Sequence, residues 1–392
     1  MKKFSFNDAL KYLDWLCVFG VKEGLERIRE LAAELGQPQN FYRTIHVAGT
    51  NGKGSVCAML AEMLQAQGFR VGLFTSPHLE SYCERIKING ANISEEDFAD
   101  MIYRVKNCNV VATHFEVLTA AAFFYFRERE VDIAVVEVGL GGLFDSTNII
   151  TPDLSIITNV ALDHENILGG LESIALNKAG IIKEKIPVVT GATGLSLEII
   201  RAVAKEENSP LYEVTTPAEV KINLRGDYQK FNAAIAIKAA EVLELDKAAI
   251  ETGLARAEWA GRFEVIETAA GIVVIDGAHN PHGAAALRES LDKNFPRGQR
   301  TWLFGVLKDK DFDSMIKILF RADDFVIVTP PDSPRAASTE ILCAKLRERG
   351  IDCAAVEDNF AAVEKLKNSG GDVKIIAGSL YLIGAVRKFV AD

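Results

Sequence analysis

Apolar residues recur along this chain in two rhythms, short unbroken runs and stretches in which they return every three or four positions. The first rhythm marks strands buried on both faces, the second helices with one face on a core. Met1 to Leu16 reads as an amphipathic helix, and Val21 to Gln37 as another, with Leu25, Ile28, Leu31, Ala32 and Leu35 on one side and Gly36 and Pro38 as its stop. Thr44 to Ala48 is the first strand. From Lys53 the positions Val56, Met59, Leu60, Met63 and Leu64 keep helical spacing up to Gly68. Val71 to Phe74 is the next strand, Ser94 an N-cap before an acidic first turn, and Phe115 to Glu128 a helix. Ile133 to Val136, Leu154 to Thr158 and Pro187 to Gly191 follow as strands, with a helix through SIALNKAGIIK and others over Leu195 to Glu206, Tyr228 to Leu245 and Lys247 to Arg256.

From Trp259 the alternation restarts as FEVIE, GIVVIDGAHNPHG, TWLFGV, DFVIVTPP, DCAAVEDN and VKIIAGS, with helical stretches after most of them. Strands alternating with helices predict an α/β protein with parallel sheets. We place a boundary near residue 257, giving a doubly wound domain over 1–257 and a smaller Rossmann-like α/β domain over 258–392. A length of 392 residues accommodates both.

Between the first strand and its helix stands GTNGKGS: Gly49, Thr50, Asn51, Gly52, Lys53, Gly54 and Ser55. Glycines permit backbone angles and close approach that a side chain forbids, so the loop amides face an anion at a helix N-terminus, with Lys53 adding a point charge. This is a P-loop-type phosphate cradle. Its fit to G-x-x-x-x-G-K-[ST] is incomplete, because Val47 holds the first glycine position and Gly54 separates Lys53 from Ser55, which disfavours a generic nucleotide kinase. The bland reading is a glycine-containing turn without a ligand.

A net charge of -10 and the lack of a basic run exclude a nucleic-acid footprint or an anionic membrane surface as the general partner. Six cysteines without C-x-x-C spacing indicate a reducing compartment. The amphipathic N-terminus does not read as a signal peptide, and no apolar run reaches spanning length, so a cytoplasmic location is expected.

Three strands end in polar clusters: Thr75, Ser76, Pro77 and His78; Glu137 before a second glycine turn at Gly139, Gly141 and Gly142; and Asn159, Asp163 and His164. Such ends are where α/β sites gather polar groups. A nucleotide triphosphate brings Mg²⁺, which takes oxygen ligands from few protein groups. Ser76, Glu137 and His164 are the candidates. Each has a plain alternative: a turn cap before Pro77, a solvated carboxylate, a satisfied histidine beside Asp163. Glu137 resists its alternative most, since a carboxylate after four buried residues is costly unless paired or metal-bound.

Nine segments in order, HVAGTNGKGS, TSPHL, EVGLGGLFDSTN, LDHENILG, NKAGIIK, GDYQKFNAA, WAGRFEVI, DGAHNPHG and AGSLYLIG, resemble the folylpolyglutamate synthase and dihydrofolate synthase family of Mur-type ATP-dependent amide ligases. The resemblance implies that Lys53 and the loop amides hold the ATP phosphates. It implies a first Mg²⁺ on Ser76 and Glu137, and a second on His164 and on Lys178 carrying a carbamate, because an ammonium cannot ligate a cation and a carbamate oxygen can. Asn232, Arg262 and Asp276 match the family's ATP contacts, and His279, Ser379 and Tyr381 its contacts to incoming glutamate. Tyr381 also fits core packing, at helical spacing with Leu380, Ile383 and Gly384. Two positions depart from the family: Tyr228 stands where histidine is frequent, and Leu143 where enzymes making dihydrofolate often carry a basic residue.

The implied reaction is ATP-dependent γ-glutamyl ligation. A folate γ-carboxylate attacks the γ-phosphate, and the amine of free L-glutamate displaces phosphate from the resulting acyl phosphate. Dihydropteroate is the acceptor if dihydrofolate synthase activity is present too. No protein nucleophile is needed, no base for the ammonium is identified beyond the candidate His279, and closure of the domains would keep water from the acyl phosphate. The partners implied are small molecules only, with a monomer expected. Rival readings are a P-loop NTPase switch or motor, which leaves the second α/β region unexplained, and a cell-wall precursor ligase of the Mur type, which needs a substrate-binding unit before the phosphate loop.

Overall fold

Strands form where the apolar runs are uninterrupted. The computed structural model describes residues 4–17, 20, 22–269, 271–296 and 298–390. Its strands are β1 (Arg43–Ala48), β2 (Val71–Phe74), β3 (Ile86–Ile88), β4 (Ala91–Asn92), β5 (Ile133–Glu137), β6 (Leu154–Ile157), β7 (Val188–Thr190) and β8 (Leu211–Glu213), then β9 (Glu264–Thr268), β10 (Gly271–Asp276), β11 (Arg300–Phe304), β12 (Phe325–Val328), β13 (Asp352–Ala355) and β14 (Val373–Ala377). The chain divides into two compact units. One comprises Met1–Pro77, Ser81–Lys221 and Phe231–Ala257, the other His78–Glu80, Ile222–Lys230 and Glu258–Asp392.

In the first unit an eight-stranded sheet has the order β4-β3-β2-β5-β1-β6-β7-β8. All pairs from β2 to β8 are parallel, and β3 and β4 continue the edge as antiparallel strands. From β1 the chain crosses to β2 on one side, whereas from β5 it crosses to β6 on the other. The carboxyl ends of β1 and β5 therefore flank the point where the winding reverses, which is where doubly wound folds open a crevice for ligands. The apolar run of β5 is buried throughout. Its Ala134 and Val136 join a core with Phe74, Phe98, Phe123 and Phe126, while Ala48 and Ile157 join another with Ala179, Ile181 and Val188. Each such side chain, fully buried, contributes roughly 1.5–3 kcal/mol.

The second unit is a six-stranded sheet ordered β13-β12-β11-β14-β10-β9, parallel except for β9. Strand periodicity shows directly in its two cores. Val274, Trp302, Phe304, Val326 and Val328 face one side, and Val273, Ile275, Leu303, Ile327 and Ile376 face the other. The α/β class, with a doubly wound first unit and a smaller second one, is what the alternation predicts.

Two local expectations change. Met1–Lys3 of the first expected helix and Val21 of the second lie outside the described residues; the first is helical over Phe6–Leu16 and the second over Glu26–Glu34, because Leu25 has non-helical angles and no side chain caps the start. Ile86–Ile88 and Ala91–Asn92 pair as a hairpin too short to show a period of its own. Among the described residues no helix is long and apolar enough to cross a membrane.

Candidate active site

β1 ends at Ala48, and the chain turns at Gly49 and Gly52, whose φ angles are 146° and 83°. A Cβ on Gly49 would lie 1.9 Å from Thr158 Oγ1, and one on Gly52 2.3 Å from Asn232 Oδ1, so both positions require glycine. Bonds to the segment after β6 pin the loop. The Thr50 amide donates to Asn159 O at 2.9 Å and the Asn51 amide to Asn159 Oδ1 at 3.0 Å. Thr158 Oγ1 and Asn159 Nδ2 donate to Asn51 O at 2.7 and 2.9 Å. The helix Lys53–Ala66 then begins with Gly54 and Ser55 buried in its first turn.

Two lysines converge on this loop. Lys53 Nζ donates to Gly49 O at 3.1 Å and to Thr50 O at 3.4 Å, and Lys178 Nζ donates to the same Gly49 O at 3.0 Å. Lys178 is buried, and burial first, then the charge of Lys53, lowers its pKa to about 7, against the pull of Asp163 and Asp145. With the positive charge of Lys53 and the Lys178 amine on one carbonyl oxygen, the loop is a place that attracts an anion.

Glu137, the last residue of β5, is buried opposite Val47 of β1. Its Oε2 accepts the Ser76 amide at 3.0 Å, which aligns the TSPHL turn with the carboxylate. Its charge also reaches Cys57 in the helix after the phosphate loop, whose thiol burial and Glu137 together push up. The second glycine turn follows at once. Gly141 has φ 71°, and a Cβ there would meet Asn177 Oδ1 at 2.2 Å; one on Gly142 would meet Asn177 O at 2.7 Å and Lys178 Cα at 3.1 Å. These glycines let the helix Leu171–Ala179 come close enough for Lys178 to reach the phosphate loop. His164 takes a left-handed conformation at φ 55°, its amide donates to Asp163 Oδ1 at 2.9 Å, and its ring is partly exposed. No group of three or more His, Cys, Asp or Glu side chains forms a metal cage among the described residues. Mg²⁺ shared with phosphates does not need one.

Of the expected residues, Gly49, Thr50, Asn51, Gly52, Lys53 and Lys178 thus form one hydrogen-bonded cradle with Asn232 against it. Ser76 and Glu137 are paired, and Asp163, next to His164, acts on Lys178 through its charge. Asn159, Thr158, Asn177, Asp145 and Asp163 are structural members of this region that the motifs did not single out for roles. Their only signal was position, after strand ends or beside Lys178.

In the second unit the expected residues gather at the neighbouring ends of β10 and β14, where Asp276 pairs with Ala377 and the Gly378 amide donates to Ala278 O at 3.1 Å. Asp276 is buried. Its Oδ2 accepts the Phe263 amide at 2.8 Å and the Tyr228 hydroxyl at 2.5 Å, and its Oδ1 accepts the Ala278 amide at 2.8 Å. Burial raises the Asp276 pKa against these donors and pushes the Tyr228 phenol well up. The tyrosine that departs from the family pattern is thus the phenol that holds Asp276. A Cβ on Gly277 would lie 2.0 Å from Arg262 Nη1, so Arg262 covers this turn. His279 Nδ1 is 2.7 Å from Gly277 O, and the Ser379 hydroxyl caps its helix by accepting the Tyr381 amide at 3.1 Å. Tyr381 is 41% exposed with Arg335 6.0 Å from its ring centroid, so it does not pack in the core.

Residues 47–240 match the family model described as Mur ligase middle domain, and residues 261–380 that described as Mur ligase, glutamate ligase domain. The chain is 36% identical over 426 residues to a dihydrofolate synthase/folylpolyglutamate synthase of Bacillus subtilis, covering 98% of this chain and 99% of that one. It is 37% identical over 411 residues to a folylpolyglutamate synthase of Lacticaseibacillus casei, covering 92% and 93%. Its structure superposes with a TM-score of 0.89 and 30% identity on the bifunctional folylpolyglutamate synthase/dihydrofolate synthase of Yersinia pestis complexed with AMPPNP and a Mn ion, covering 98% and 97%.

Proposed function

We infer that this chain, which belongs to the folylpolyglutamate synthase and dihydrofolate synthase family of Mur-type ligases, is an ATP-dependent ligase that adds L-glutamate to the γ-carboxylate of folates. The observation that carries the reading is the convergence of Lys53 and Lys178 on the Gly49 carbonyl. The first unit, which holds most of residues 1–257, serves as the ATP-binding domain, and the second, made of 258–392 with His78–Glu80 and Ile222–Lys230, as the glutamate-ligase domain, in a monomer working in the cytoplasm.

Glu137, whose carboxylate accepts the Ser76 amide, would hold the first Mg²⁺ together with the Ser76 hydroxyl, and His164 with Lys178 as its carbamate would hold the second. Lys178 fits the carbamate role because an amine with a pKa of about 7 is substantially neutral at physiological pH. The neutral amine attacks CO2, an N–C bond forms, and a proton leaves to solvent. When bound, Mg²⁺ offsets the charge on the phosphate oxygens.

The chain's own groups do the rest. Lys53 and the amides of the Gly49–Ser55 loop bind and orient the phosphates for attack by the folate carboxylate, with Asn232, Arg262 and Asp276 as further ATP contacts. His279, Ser379 and Tyr381 bind the incoming glutamate, whose amine displaces phosphate from the acyl phosphate. Positioning and charge stabilisation supply the acceleration, with no covalent intermediate on the protein.

Phosphate release with ATP, Mg²⁺ and L-glutamate, run in parallel on tetrahydrofolate and dihydropteroate with each product weighed, tests this reading. A gain of one glutamate on tetrahydrofolate is the expected result. A gain on dihydropteroate as well makes the enzyme bifunctional and shows that Leu143 is tolerated on the pterin side. Phosphate release that ignores glutamate and yields no heavier folate overturns the reading in favour of an NTPase switch.

A further inference from the structure

Beneath the second glycine turn runs a buried chain of hydrogen bonds that the ligation chemistry leaves without a role. Asp145 Oδ2 accepts the Leu140 amide at 2.8 Å, and its Oδ1 accepts the Thr147 amide at 3.0 Å and the Thr147 hydroxyl at 2.5 Å. A carboxylate only accepts, so the single hydroxyl proton of Thr147 is committed to it. The Thr147 oxygen must then accept from its other neighbour, His46 Nε2, at 2.8 Å. This assigns His46 the Nε2–H tautomer and leaves Nδ1 bare. Nδ1 is indeed a buried ring nitrogen with no hydrogen-bond partner among the described residues. His46 and Thr147 are both fully buried.

A buried imidazole with one nitrogen unsatisfied is a costly residue for a strand interior, where valine or isoleucine would pack without penalty. What the imidazole contributes is the direction of the Thr147 hydroxyl. His46 sits in β1 beside Val136, one residue from the Val47–Glu137 pair. Leu140, at the far end of the chain of bonds, lies in the turn that leaves Glu137 and packs on Asn177 and Lys178; the Leu143 amide closes that contact by donating to Asn177 O at 2.8 Å.

We propose that His46 is a positioning residue whose Nε2–H, relayed through Thr147 and Asp145, holds the Gly139–Gly142 turn so that Glu137 and Lys178 stay aligned for the divalent cation and the phosphates. The proposal rests on the ligase reading for what binds there. The hydrogen-bond chain itself stands without it.

His46→Leu removes the donor, and His46→Gln keeps an N–H near the same place. The Leu variant is expected to raise the Mg²⁺ concentration for half-maximal glutamate-dependent phosphate release about tenfold, the lower end of what losing a group bonded directly to a metal ligand costs, since His46 acts through Thr147 and Asp145. Mn²⁺ binding in the presence of ADP, followed by electron paramagnetic resonance without turnover, should weaken by a similar factor, and the Gln variant should recover most of both losses. A merely structural histidine would lower the unfolding temperature in both variants and leave the metal dependence unmoved, which overturns the proposal. A third arm uses ¹⁵N-histidine NMR on the wild-type protein and on Thr147→Val. Wild type should show His46 protonated at Nε2 alone, and Thr147→Val should lose that fixed preference; protonation at Nδ1 in the wild type overturns the proposal. If His46→Leu does not fold, His46→Gln and Thr147→Val decide it by the same two readouts. If the wild type shows no glutamate-dependent phosphate release, the ligase reading fails, and Mn²⁺ binding with the tautomer still decides His46.

Discussion

Lys53→Ala should lower glutamate-dependent phosphate release by about a hundred- to a thousandfold, the loss typical of removing one preorganised donor to developing charge. Among the described residues, the Lys53 side chain donates only to the carbonyls of Gly49 and Thr50, within its own loop. Its removal should therefore leave the unfolding temperature within a few degrees of wild type, since exposed or loop-local changes away from special features cost within about 0.5 kcal/mol. Steady-state kinetics with calorimetry on the same preparations separates the two effects. A variant with near wild-type turnover would mean that the loop is an ordinary glycine turn and that the anion lies elsewhere.

Lys178→Ala should cost at least about a hundredfold in the same assay, the upper end of what outer partners of a metal site cost, because it would remove a ligand itself. The stability effect runs the other way. In the unfolded chain Lys178 binds its proton up to its ordinary pKa of 10.5, whereas in the folded chain burial lowers that value to about 7. Between these values the unfolded state binds more protons, so the penalty for burying this amine is absent above 10.5, grows as pH falls and is complete below about 7. In CO2-free buffer, where the amine is unmodified, stability should rise with pH across that window in wild type, and the rise should be smaller in Lys178→Ala. The carbamate adds a third signature: degassed enzyme should lose activity and regain it with bicarbonate, and Lys178→Ala should not respond. Unchanged turnover and Mg²⁺ dependence in Lys178→Ala would exclude the carbamate.

Much of this arrangement was legible in the sequence because parallel strands are buried on both faces and leave uninterrupted apolar runs. β2 falls on Val71–Phe74 as the pattern predicts, and the phosphate loop follows β1 at the expected glycines. The ends of β1, β5 and β6 converge because the sheet order places β1 between the other two. What stayed hidden depends on contacts between distant segments. Nothing in DSTN shows that Thr147 meets a histidine 101 residues earlier. The glycines of GLGG read as a turn, whereas their necessity comes from the backbone of Asn177 and Lys178 lying against them. Helical spacing could not tell whether Tyr381 points into the core or outward, since the helix that holds it buries Leu380, Leu382 and Ile383 instead. Periodicity also overran the helix that begins at Glu26, because Leu25 and Leu35 keep the apolar spacing while their backbone angles have left the helix.

The central claim is that a folate carboxylate and ATP react to form an acyl phosphate before glutamate enters. Folate labelled with ¹⁸O in its γ-carboxylate, incubated with enzyme, ATP, Mg²⁺ and L-glutamate, tests it most directly. Attack by that carboxylate on the γ-phosphate, followed by displacement by the amine, leaves one labelled oxygen in each phosphate released. The account predicts one ¹⁸O in phosphate for every glutamate added. Unlabelled phosphate accompanying an extended folate would show that the carboxylate is not phosphorylated, and would contradict it.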